Sequence, residues 1–424
     1  MTTKKRLSTL LAALTMVLTS CTGGAQTADT TAAPESITEA STKAETQAQT
    51  EAQTDAQTEV QTEAQTEAQT EAQTEAQTEA QTETEAATEA TTEAETEVDL
   101  REYNTTPFCN PLSNYDTPDP FITYDPDTGY YYGIFTQVNR LELFRSKHVA
   151  DIFTSGESKV IMRADGTNNI YGDVWAPEMH RGTDGLWYIY SSSRTTPEEG
   201  EKRIFVYGSL TSDPFGEWEF KRRPVPAVFS IDPTVDTAPD GTQYMCTSKV
   251  DPEYGQVLMI GKMVSPYRCE VGKMIAKAEL DWELVDPFTG AAAILEGGFF
   301  LENNGRLFLI YSANGWTTKH YALGVLELVG DDICDPDSWI KHPEPLLVYG
   351  NGVYGPGHAS FFRSPDGTEV WCAFHAMQEP NETHTWVPRY LNLQKVEFDS
   401  TGYPVMGTPV GYETPIAPPS GEEK

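Results

Sequence analysis

The stretch Asp119-Pro120-Phe121-Ile122-Thr123-Tyr124-Asp125-Pro126-Asp127-Thr128-Gly129-Tyr130-Tyr131-Tyr132 sets an acid, an apolar strand, an Asx–Gly turn and an aromatic strand in one short run. Asx–Gly between apolar runs is the strongest local hairpin signal, because both central residues of the tightest turn need positive φ. The turn returns as Asp184-Gly185, Asp240-Gly241, Asn304-Gly305 and Asp366-Gly367, each followed by an aromatic or apolar strand such as Leu186-Trp187-Tyr188-Ile189-Tyr190 or Val370-Trp371-Cys372-Ala373-Phe374. The five glycines are separated by 56, 56, 64 and 62 residues. A near-regular period of that size filled with short strands reads as propeller blades, and five repeats predict an all-β, five-bladed β-propeller over residues 101–424. Residues 272–280 are the best candidate for a helix in this region.

Nine or ten residues upstream of the turn glycines stand Asp119, Asp232, Glu296 and His358, and seven upstream stands Glu178. In a propeller the first strand of each blade lines the central channel, so these positions converge on one axis. A purely structural repeat has no reason to place ionisable groups there, since burying unpaired charge is costly. Hydrolysis of a glycosidic bond needs a proton donor for the leaving oxygen and a carboxylate on the opposite face of the sugar. Crowded carboxylates supply both states at one pH, because each negative charge raises the pKa of its neighbour.

Asp119-Pro120-Phe121, Val174-Trp175-Ala176-Pro177-Glu178, Ile231-Asp232-Pro233-Thr234-Val235, Glu296-Gly297-Gly298 and Gly355-Pro356-Gly357-His358 occur in the order and spacing of glycoside hydrolase family 43, and the resemblance covers residues 107–410. It implies an inverting hydrolase with Asp119 as general base, Glu296 as general acid and Asp232 raising and orienting the acid. His358 resembles the family's axial histidine, which sits near a water or a calcium ion in the channel, so a structural calcium is the one metal it implies and no cofactor is required. Arg389 resembles the late arginine that contacts sugar hydroxyls. Where the family carries Pro after Glu-Gly, Gly298 stands here, which would loosen a loop near the acid. Trp175 is read as a sugar-stacking residue, Glu178 as a hydrogen-bonding residue between blades, and Asp116 and Asp173 as bystanders.

Residues 281–283, 308–316, 321–324, 335–339 and 352–358 most resemble the family's exo-acting α-L-arabinofuranosidases, which implies release of terminal pentoses from plant cell-wall glycans. β-Xylosidases and endo-arabinanases share the same carboxylates, and a non-catalytic glycan-binding lipoprotein is the alternative from another class. An interaction propeller would carry Trp-Asp or kelch repeats, and none occurs.

The remaining chain bears on location. Lys4, Lys5 and Arg6 precede an apolar run too short to span a bilayer, and Leu18-Thr19-Ser20-Cys21 matches a lipobox. Residues 1–20 are therefore read as a lipoprotein signal peptide and Cys21 as the lipidated residue, anchoring an extracellular, cell-surface protein. Residues 21–100 are dominated by Thr, Glu, Ala and Gln, with 19 acids against the single base Lys43. Glutamates every fourth residue would repel along a helix, so this linker is expected to be an extended, solvated stalk. Residues 101–424 carry 45 acids against 25 bases, and that net −20 argues against nucleic acid and anionic membrane as partners, which leaves the carbohydrate and the lipid anchor. The five remaining cysteines lack CxxC spacing, which argues against zinc, and their odd number leaves at least one unpaired within the chain.

Overall fold

Each of the five Asx–Gly hairpins forms and opens one antiparallel sheet. The computed structural model describes residues 102–424 apart from 199, 226–228, 286–292 and 384; the expected signal segment, Cys21 and the linker lie outside the described residues. The first blade runs β1 (Phe121–Asp125), β2 (Tyr130–Ile134), β3 (Arg140–Ser146) and β4 (Glu157–Arg163). The second runs β5 (Trp175–Arg181), β6 (Trp187–Arg194), β7 (Lys202–Ser209) and β8 (Trp218–Arg222). The third has β9 (Ile231–Thr237), β10 (Gln243–Asp251) and β11 (Gly255–Ser265), with β12 (Arg268–Cys269) and β13 (Lys273–Ala276) both on the β11 edge. The fourth runs β14 (Leu295–Asn303), β15 (Arg306–Ala313), β16 (Ala322–Leu328) and β17 (Trp339–Lys341), and the fifth β18 (Tyr354–Arg363), β19 (Val370–Met377), β20 (Tyr390–Phe398) and β21 (Pro404–Val405). Among the described residues the only helical pieces are short 3₁₀ turns, and no helix is long and apolar enough to cross a membrane.

The inner strands β1, β5, β9, β14 and β18 pack on one another in sequence, and β18 packs on β1 to complete the ring. Blade faces stack on blade faces, so middle strands are buried on both sides: Tyr132, Ile189, Phe205, Phe308, Val325 and Phe374 belong to one continuous core. Such strands read as uninterrupted apolar runs instead of alternating ones. Closure uses hydrogen bonds that are invisible in the repeat. Ser360 in β18 accepts the Ile122 N–H at 3.1 Å and donates to the Pro120 carbonyl at 3.0 Å, stitching the last blade to the first. β21 pairs only with the end of β20, at Glu397 and Phe398. The free half of β20 is taken by the segment before β1: the Leu112 N–H reaches the Leu391 carbonyl at 2.8 Å, and the Asn110 side chain makes two 2.9 Å bonds to the Leu393 backbone.

Two expectations need correction. Residues 272–280 hold no helix; Lys273–Ala276 form β13, which covers the open edge of β11 and buries Ile275 and Ala276. An unpaired strand edge outweighs a weak local helical preference. Only Asn304-Gly305 has positive φ at both turn positions; in the other four hairpins glycine alone is left-handed. Those turns are longer, and in three of them the aspartate acts through its side chain. Asp184, Asp240 and Asp366 each accept the N–H two residues on, the Asx turn that these residues favour.

Asn110→Ala would leave a buried N–H and a buried carbonyl of Leu393 unpaired, at about 1–3 kcal/mol each. We expect urea unfolding to show a loss of about 2–5 kcal/mol; a loss below about 0.5 kcal/mol would show that this clasp does not hold the ring.

Candidate active site

At one position in every inner strand, or just before it, the backbone turns left-handed: Asp119 (φ 54°), Ala176 (φ 41°), Asp232 (φ 51°), Gly297 (φ 55°) and His358 (φ 47°). In the second to fifth blades the pairing register slips across this point, between Trp175 and Glu178, Ile231 and Thr234, Glu296 and Phe299, and Gly357 and Ser360. A bulge of this kind re-aims the side chains beside it. The result is one cavity of roughly 500 Å³ whose walls include Asp119, Asp232, Glu296, His358, Trp175 and Arg389. All six expected site residues meet there.

The carboxylates are held differently. Asp119 Oδ2 accepts the Thr136 hydroxyl at 2.6 Å, and Oδ1 lies 3.4 Å from Arg389 and 3.4 Å from His358 Nδ1. Burial alone would raise the Asp119 carboxyl, but the charges of His358 and Arg389 outweigh it and hold it far below the usual range. Glu296 accepts Gln256 Nε2 at 2.7 Å and the Tyr321 hydroxyl at 2.8 Å. Its carboxyl is nevertheless raised, by burial first and then by the charge of Asp119. Asp232 is raised too, by burial and by its negative neighbours Glu296 and Asp119. Two buried carboxyls pushed upward favour the protonated form where Asp119 is ionised. Burial works against a charged His358, yet Asp119, Asp232, Glu296 and Glu178 together raise it, so a cation stands among the acids.

The Arg389 guanidinium lies 4.1 Å over the Trp316 ring and reaches Asp119, while the Arg389 backbone N–H donates to Asp116 at 2.7 Å. Lys202 sits 4.4 Å over the Trp175 ring and is held by Asp173 at 3.2 Å. Asp116 and Asp173 are therefore not bystanders: each positions a cation that lines the cavity. Phe229 and Trp386 complete the aromatic wall, Trp386 being 63% exposed at its rim. Glu178, expected to bond between blades, instead contacts His180 of its own strand at 2.7 Å. Gly298 lies inside β14, where an added Cβ would meet Cys246 Sγ at 3.2 Å, so its place is a packed strand and not a loosened loop. The cysteines from Cys109 to Cys372 are free thiols. Among the described residues no group of three His, Cys, Asp or Glu is placed to hold a metal, and His358 Nδ1 faces Asp119.

Thr136, Gln256, Tyr321 and His375 touch the carboxylates without being foreseen as site residues. They lie on second strands, third strands and loops, where the repeat register assigns no common position.

The sequence profile described as Glycosyl hydrolases family 43 matches residues 108–404. An extracellular exo-α-(1→5)-L-arabinofuranosidase of Streptomyces chartreusis is 34% identical over 283 residues, covering 64% of this chain and 83% of the relative. A protein of the same name from Streptomyces avermitilis is 30% identical over 325 residues, covering 72% of this chain and 64% of the relative, just under two thirds of its length. Among solved structures, the α-L-arabinofuranosidase from Lactobacillus brevis superposes with a TM-score of 0.65 at 28% identity, over 72% of this chain and 98% of that one.

The raised Asp232 carboxyl carries a signed consequence. Folding raises its pKa above the unfolded value of about 3.9, so its ionisation costs stability increasingly as pH climbs above that value. Asp232→Asn should melt above the wild type at pH 8 by about 2 °C or more, with the gap narrowing at pH 5. Thermal melts at the two pH values decide it, and a lower melting point at pH 8 would contradict the assigned direction.

Proposed function

We propose that this chain, which belongs to glycosyl hydrolases family 43, releases terminal α-L-arabinofuranosyl groups from pentose-containing glycans with inversion at the anomeric carbon. The observation that carries the reading is the asymmetry of the carboxylates: one held ionised by cations, two held protonation-prone by burial and mutual repulsion, all facing one cavity. Asp119 takes a proton from a water whose oxygen attacks the anomeric carbon. The glycosidic C–O bond breaks, and the departing oxygen takes the proton from Glu296. Asp232 disfavours a second negative charge and so keeps that proton available. His358 and Arg389 hold Asp119 anionic. The aromatic wall of Trp175, Phe229, Trp316 and Trp386 supports a pocket for a chain end, in keeping with the exo action named for the Streptomyces relatives.

The signal and lipobox reading places the protein outside the cell, tethered through Cys21 and the acidic linker, and the relatives named extracellular agree with the location. Cys21→Ser should move the protein from the membrane to the soluble fraction and abolish its labelling by radioactive palmitate. Retention in the membrane would remove the anchor.

Glu296→Gln and Asp119→Asn should each lower kcat by about 10²-fold or more on arabino-oligosaccharide, and for the wild type para-nitrophenyl β-D-xyloside should be at least about tenfold poorer than the α-L-arabinofuranoside. Proton NMR of the first product should show the β-anomer; the α-anomer would rule out inversion. The kcat/KM profile should fall on the alkaline side, as the raised carboxyls of Asp232 and Glu296 lose their protons. Its acid limb should lie below pH 4, because Asp119 is held under the ordinary carboxylate range.

A further inference from the structure

We infer that Tyr321 and His375 act as a single positioning plate behind the cavity, His375 fixing the backbone of the base Asp119 and Tyr321 fixing the carboxylate of the acid Glu296. The inference rests on the base and acid roles proposed above. The Asp119 N–H donates to His375 Nδ1 at 3.0 Å, which pins the left-handed residue from its backbone side. The Tyr321 hydroxyl donates to Glu296 Oε1 at 2.8 Å. Between these two bonds the rings lie parallel, with 2° between their planes and centroids 5.5 Å apart. Neither side chain is exposed to solvent.

The fold prepares this arrangement. His375 in β19 stands opposite Gly357 in β18, and a Cβ on Gly357 would lie 2.3 Å from the Tyr321 ring. Only a residue without a side chain lets Tyr321 lie against the strand beside His375. Next in that strand, His358 donates its backbone N–H to Ser312 Oγ at 2.8 Å, which fixes the cation from the neighbouring blade. Burial and the charges of Arg389 and His358 push the His375 imidazole down to about 4, so Nδ1 remains an acceptor at working pH. Burial and the charge of Glu296 keep the Tyr321 phenol protonated, so its hydroxyl remains a donor. Base and acid sit on different blades, and an inverting reaction needs a fixed gap that admits one water. The plate spans that gap from behind. Neither residue reacts; both act through the carboxylates they hold.

The two halves are separable by leaving group. An arabino-oligosaccharide needs its departing oxygen protonated, whereas the dinitrophenolate of 2,4-dinitrophenyl α-L-arabinofuranoside departs without help; both need the base. Tyr321→Phe keeps the ring and removes the bond to Glu296. It should lose about 10²-fold in kcat on the oligosaccharide and stay within about threefold on the dinitrophenyl glycoside. His375→Phe keeps a ring and removes the acceptor, and should lose about 10²-fold on both substrates alike. His375→Asn places Oδ1 where Nδ1 stood, and should recover to within about tenfold of wild type on both. Thermal melts and KM are measured for each variant. Equal losses on the two substrates for Tyr321→Phe would overturn the inference, as would a His375→Asn no better than His375→Phe at matched melting temperature. Full activity of Asp119→Asn and Glu296→Gln would instead sink the acid–base assignment itself. If those two are inactive and the plate variants match wild type, the plate alone falls.

Discussion

A left-handed backbone residue in each blade is the constraint on which the site depends. Four of the five are not glycine: Asp119, Ala176, Asp232 and His358. Each such residue costs about 1–3 kcal/mol, and the conformation survives only where the surroundings over-determine it. Here the surroundings are specific. His375 accepts the Asp119 N–H, Thr136 accepts the Ala176 N–H at 2.7 Å, and Ser312 accepts the His358 N–H. Regular pleating would send alternate side chains into the blade faces, where a carboxylate has no partner. The bulges turn them toward the axis.

Once turned inward, the acids are largely buried, and their charges must be balanced. His358 and Arg389 stand against Asp119, while burial and nearby negative charge push Asp232 and Glu296 toward the protonated form. Buried pairs of this kind add little to stability, and replacing one with apolar residues is often neutral or favourable. What the arrangement secures is a difference in protonation between chemically similar groups. The same burial that penalises the fold raises the carboxyls of Asp232 and Glu296.

The hairpins, the five blades and six site residues were legible because they obey a short-range rule or a repeat. Glycine in the turn and an apolar strand after it mark each blade whatever lies beyond, and the carboxylates keep a near-constant distance from that glycine. The misreadings have a common origin. β13 forms because β11 has an edge to cover, four of the turns are wider than the tightest hairpin, and Glu178 falls two residues past the left-handed Ala176, so it turns to His180. Asp116 and Asp173 looked idle because their partners, Arg389 and Lys202, lie far along the chain.

By itself the sequence determined the number of blades, the strand that opens each, and the identity of the groups carried to the axis, since these follow from local turn chemistry and a regular period. The protonation states, the clasp between Asn110 and Leu393, and the contacts of Tyr321 and His375 with the acids were decided only by tertiary structure. Those depend on burial and on which distant residues become neighbours when the ring closes, and no rule of spacing along the chain encodes either.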